Sequence, residues 1–177
     1  ESGLTAVADP YTSSDASFSQ LVALLNSCGR EMLTAYPWQQ LRREATVTFN
    51  YGGASTATLP ADYDRILDQT MWDRANITPV GGPLSPQEWQ GLKGSAITLL
   101  PTKVSWRLDA DLIKVYPDVP AAGVNPYATV YYEYISRAWI LSGATERDYA
   151  SAVGDTVRYD SVLMIKFLKL RFLGAKG

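Results

Sequence analysis

Two clusters of aspartate offer this chain its remaining route to acid–base chemistry. Asp62, Asp64 and Asp68 fall in one stretch, Asp109 and Asp111 in another. Two carboxylates facing each other across a sugar, one with its pKa raised by burial, are what a glycosidase needs. Here Asp62 follows Pro60 in a turn-like setting, and Asp109-Ala110-Asp111 falls where a hairpin tip is predicted. Turn and cap chemistry accounts for both. Histidine is absent from all 177 residues, which removes Ser-His-Asp triads, Cys-His pairs and histidine metal sites together. The single cysteine, Cys28, cannot form an internal disulfide or build a zinc or iron–sulfur site. Gly91-Leu92-Lys93-Gly94-Ser95 superficially matches a phosphate loop, but Gly follows the lysine where Ser or Thr is needed, and a helix precedes it where a strand should. The expectation is a protein that is no enzyme and holds no cofactor or metal.

Binding chemistry has more material. Trp38, Trp72, Trp89, Trp106 and Trp139, with eleven tyrosines, would suit a sugar-binding or base-stacking surface. They are spread along the chain, mostly at alternating strand positions or on amphipathic faces, so core and inter-subunit packing is the expected use. Beyond Asp160 there is no acidic residue, while Lys166, Lys169, Arg171 and Lys176 follow. Cations near a helix C-terminus suit its dipole; the functional alternative is contact with an acidic partner surface.

The elements that must position these groups can be read from periodicity. Phe18, Leu21, Val22, Leu25, Cys28 and Met32 form one apolar stripe, predicting a helix from about Asp15 to Thr34, ended by Tyr36-Pro37. Ser14 or Asp15 could cap it. From Ala45 the period becomes two, with Val47, Phe49 and Tyr51 on one side of a strand. Gly52-Gly53 then permits a turn, with Thr56 to Leu59 as the returning arm of a hairpin. Ile66 to Trp72 reads as a further strand and Ala75 to Gly82 as a loop. Ser85-Pro86-Gln87-Glu88 is a capping box opening a short helix that runs to Lys93 and ends at Gly94. Strands are predicted at Lys103 to Leu108, Leu112 to Tyr116 and Val130 to Ile135, with a loop carrying Pro117, Pro120, Gly123 and Pro126 before the last. A final helix runs from Tyr159 to Leu173 and stops at Gly174. Val162, Leu163, Ile165, Phe167, Leu168, Leu170, Phe172 and Leu173 surround most of it, so it demands burial on more than one side.

Apolar residues at 46% and charged residues at 19% describe a globular chain. A net charge of −2 gives no general affinity for nucleic acid. The polar ESGLTAVADPYTSS start lacks a signal-peptide pattern, and no apolar run approaches a membrane span.

The order L-P-A-D-Y (Leu59 to Tyr63), W-D-R-x-N (Trp72 to Asn76) and P-L-S-P-Q-E-W-Q (Pro83 to Gln90) resembles the middle of a bacteriophage head-to-tail adaptor. Tyr36-Pro37-Trp38 after the first helix and the closing D-T-V-R-Y-D…L-K-L-R-F-L-G-A-K-G extend the resemblance over about residues 15 to 177. It implies an α+β fold in which N- and C-terminal helices (15–36 and 155–177) pack as a small helical bundle around an inserted antiparallel β-rich region (45–140), all within one adaptor domain. It also implies a structural virion protein of the neck, assembled in the host cytoplasm. Usually twelve copies form a ring that joins the capsid portal to the next tail or neck component. That ring extends the channel through which double-stranded DNA passes without sequence-specific binding. No membrane is involved. Family members often carry a longer C-terminal arm reaching the portal; this sequence stops three residues past Gly174, which argues against arm insertion unless the sequence is truncated there. By position the partner-binding residues are Trp72, Arg74 and Trp89 on the ring or tail side, and Lys166, Lys169 and Arg171 on the portal side. The rival readings are an aromatic-rich carbohydrate-binding module and a glycan-cleaving virion component.

Overall fold

The computed structural model describes residues 8–50, 53–94, 104–119 and 129–176. Tyr51, Gly52, Ser95, Lys103 and the loop prolines Pro120 and Pro126, on which some of the sequence expectations rest, lie outside the described residues. The chain divides into two compact units, one of Glu1–Arg42 with Ser136–Gly177 and one of Arg43–Ile135.

In the first unit, α1 (Ala16–Ala35) starts where Asp15 accepts a hydrogen bond from the Ser17 backbone N–H at 2.8 Å. It ends at Tyr36, which is extended as a residue before proline must be. Its stripe is buried at Phe18, Cys28, Met32 and Leu33, so Cys28 is the small core residue its spacing suggested. A 3₁₀ turn (Gln39–Leu41) follows. The remainder is the small antiparallel sheet β9 (Ile140–Ser142), β10 (Thr145–Arg147) and β11 (Thr156–Val157), with β9 central, and then α3 (Ser161–Lys176). Gly29 lets α1 approach this sheet closely: a Cβ there would lie 2.3 Å from the Trp139 indole. Trp139 stacks on Tyr159 at 5.9 Å, and Tyr159 donates its hydroxyl to the Gly29 carbonyl at 3.1 Å. Asn26 completes the join by accepting from the Ala150 N–H and donating to the Ala150 carbonyl.

The second unit is two sheets sharing one core. The larger has the order β1 (Arg42–Thr48), β8 (Thr129–Ser136), β4 (Trp72–Asp73), β5 (Thr78–Pro79), with β3 (Tyr63–Ile66) also pairing β8. The smaller is β2 (Thr56–Thr58), β7 (Leu112–Tyr116), β6 (Ser105–Asp109). Val47, Phe49, Val130, Tyr132 and Tyr134 of the first meet Trp106, Ile113 and Val115 of the second in one buried cluster. The period-two alternation read in β1 and β8 is therefore the inward face of a sheet. Helix α2 (Pro86–Gly94) begins with the capping box: Glu88 accepts from the Ser85 N–H at 2.8 Å and the Glu88 N–H donates to Ser85 Oγ at 3.3 Å.

Several expectations are corrected. The fold is not a pair of terminal helices bundled around one β insertion. Among the described residues eleven strands in three sheets outnumber the three α-helices, of which α2 lies mid-chain. The unit holding α1 and α3 also contains the β10-β9-β11 sheet. A two-helix bundle core fails physically because α3 buries Met164 and Phe172 and leaves most of its other apolar residues at the surface. Thr56 to Thr58 does not return against β1; it pairs with Leu112 to Lys114 of β7. The strand expected over Ile66 to Trp72 is broken into β3 and β4 by a turn at Asp68-Gln69, where Thr70 Oγ1 donates to the Leu67 carbonyl at 2.7 Å. The Ala75 to Gly82 loop contains β5, and α3 runs through Gly174 instead of stopping there.

Candidate functional site

The motif W-D-R-x-N becomes a single piece of engineering in the second unit. Asp73 is fully buried. Its carboxylate accepts from the Ala75 N–H at 2.9 Å, the Asn76 N–H at 3.1 Å and the Asn76 side-chain amide at 2.6 Å. That cage fixes the β4–β5 turn, which holds Ile77 at φ +54. A β-branched residue in the left-handed region costs about 1–3 kcal/mol and persists only where its surroundings dictate it. Trp72 projects to the side of the sheet opposite Asp73, and Arg74 opens the turn beside it.

On that open side lies a cleft of about 590 Å³ lined by Glu44, Gln69, Thr70, Trp72, Arg74, Ile77, Tyr131, Tyr132 and Glu133. The antiparallel register sets Trp72 directly opposite Tyr131, so both rings rise from the same face. The Arg74 guanidinium sits 4.0 Å over the Tyr131 ring and pairs through both of its terminal nitrogens with Glu44, one contact at 3.3 Å. Trp72 is 41% exposed and Ile77 80%. Of the ring-side residues expected from sequence, Trp72 and Arg74 thus share one surface. Trp89 does not join them. It is buried, edge-on to Tyr116 at 6.2 Å with the Arg107 guanidinium 4.9 Å from its ring; it anchors α2 and has no face to offer a partner. Glu44, Gln69, Ile77 and Tyr131 were not foreseen as site residues. Alternation puts Tyr131 on the strand face opposite Tyr132, but its pairing with Trp72 is long-range and has no local signal. The positive φ of Gln69 and Ile77 has no signal in residue type.

In the first unit α3 presents Val162, Leu163, Ile165, Leu170 and Leu173 to solvent. A groove of about 300 Å³ lies between α1 and α3, lined by Glu31, Met32, Ala35, Trp38, Leu163 and Phe167. Lys166 and Lys169 are exposed on the same helix. Arg171 differs from them, because it pairs with Glu31 and lies 5.3 Å over the Phe167 ring.

The aspartate clusters are committed to ion pairs and turns. Asp62 meets Arg43 at 3.0 Å and accepts from the Tyr134 hydroxyl at 2.9 Å, and Asp64 pairs with Arg65. Burial, then the neighbouring Asp62 carboxylate, push the Tyr134 phenol up. A hydrogen bond from Lys114 and its charge, with Arg107 adding to them, hold Asp109 below the usual carboxylate range. That is the opposite of the raised pKa a general acid needs. No cluster of three or more metal-ligating side chains occurs among the described residues. Comparison with protein-family models and with curated proteins finds no match to this chain.

Proposed function

We propose that the protein is a structural subunit of the ring that joins a bacteriophage capsid portal to its tail and extends the DNA channel. The observation that carries this reading is the surface of α3, where Val162, Leu163, Ile165, Leu170 and Leu173 stand exposed along one short helix. Isolated exposed apolar residues are ordinary; a series of them on one element marks a surface that another chain covers. Lys166 and Lys169, interspersed among them, add a charged rim suited to an acidic portal surface. The resemblance of the ordered motifs to those of head-to-tail adaptors suggests the portal as the partner. In a closed ring each subunit presents two different faces to its neighbours, and the role is mechanical: positioning, sealing and docking.

The test replaces Ile165 and Leu170 together by serine. Both side chains are exposed, so stability to denaturant should change by less than about 1 kcal/mol, while retention on an immobilised cognate portal should fall at least ~10-fold. Undiminished retention with an intact fold would remove α3 from the interface and with it the main support for the reading.

A further inference from the structure

Gln69, Ile77 and Ala110 are the non-glycine residues with positive φ among those described, at +62°, +54° and +52°. Ala110 is explained by the tip of the β6–β7 hairpin, where a tight turn needs that conformation. The other two line one cleft, beside Trp72. Ile77 is 80% exposed there. Gln69 sits in the Asp68-Gln69 turn and Ile77 in the turn that Asp73 cages, and these two turns form one rim of the cleft.

The chemistry of the walls narrows the ligand. Trp72 supplies an exposed aromatic face on the open side of a twisted sheet. Four of the other lining residues, Glu44, Gln69, Arg74 and Glu133, carry planar polar groups. Arg74 is held in place between Glu44 and the Tyr131 ring, so this wall is organised before anything binds. Planar bidentate groups match pairs of adjacent hydroxyls, and an indole face matches a flat array of C–H bonds. Two carboxylates against one guanidinium disfavour a phosphate backbone.

We propose that this cleft binds a β-1,4-linked pyranose chain. Such a chain, with its equatorial hydroxyls in the ring plane, offers apolar ring faces to Trp72 and hydroxyl pairs to Glu44, Gln69, Arg74 and Glu133. The site is a second function of the chain, independent of whether it assembles into a ring.

Chitohexaose, cellohexaose and, as an α-linked control, maltohexaose would be titrated into the full chain, with tryptophan fluorescence and calorimetry as readouts. Saturable binding of at least one β-linked oligomer is expected, with Kd between about 10 μM and 1 mM for so open a cleft. Trp72→Ala should weaken it at least ~10-fold. Gln69→Gly removes the amide and relieves the backbone, so it should raise Tm while lowering affinity; this variant keeps the test decisive should Trp72→Ala fold poorly. Binding of neither β-linked oligomer would overturn the proposal, as would binding unaffected by these variants. If no sugar binds and Trp72→Ala instead changes the mass of the assembled protein, the cleft is a protein contact and the sugar proposal fails while the ring reading stands.

Discussion

Asp73 is the residue on which the W-D-R-x-N segment turns. A fully buried carboxylate is stable only when its oxygens are occupied, and here three N–H groups of the next turn occupy them. Asp73→Ala leaves those donors without their acceptor and should destabilise the protein by about 3 kcal/mol in a denaturant titration; a loss under about 1 kcal/mol would mean the turn holds itself. The buried tyrosines make a separate prediction. Desolvation, with smaller contributions from Tyr134 and Tyr63, pushes the Tyr132 phenol up to about 12. In the unfolded chain it ionises near 10, so the folded state binds this proton more tightly. The resulting stability is fully present below pH ~10 and is lost as the pH rises toward ~12, at about 1.4 kcal/mol per pKa unit. Unfolding followed between those limits should steepen with pH, and Tyr132→Phe should flatten that dependence. An unchanged slope in the variant would assign alkaline sensitivity to other groups.

Elements were legible where local signals suffice. The 3.6-residue stripe of α1, the Ser85–Glu88 capping box and the β6–β7 hairpin about Ala110 each need no more than a few neighbouring residues, and all three form. Strand partnership was not legible, because it is a long-range choice: β2 passes over the nearby β1 for the distant β7. The β9–β11 sheet escaped notice because its strands are two or three residues long, too short for alternation to emerge. Helix α3 misled for another reason. Its apolar residues encircle it, which pattern reading takes as burial, yet only Met164 and Phe172 become buried. The cleft about Trp72 was half legible: Trp72 and Arg74 stand in one motif, while Glu44, Tyr131 and Glu133 arrive from β1 and β8. Close packing of α1 yields a prediction at this scale. Gly29→Ala drives a methyl group into the Trp139 indole and should cost about 2–3 kcal/mol in thermal or chemical unfolding. An alanine variant as stable as the parent would show that Trp139 yields freely.

At the scale of the whole molecule, each unit carries a different kind of surface. One holds a helix whose apolar side chains are exposed beside Lys166 and Lys169; the other holds an aromatic cleft walled by planar polar groups. In the proposed ring the exposed apolar residues of α3 are the face that meets the portal. The most direct test of that claim is the mass of the purified chain, alone and with its cognate portal, by light scattering with negative-stain microscopy. Rings of about a dozen copies seated on the portal are expected, as a closed heterologous assembly. A chain that stays monomeric and indifferent to the portal would contradict it.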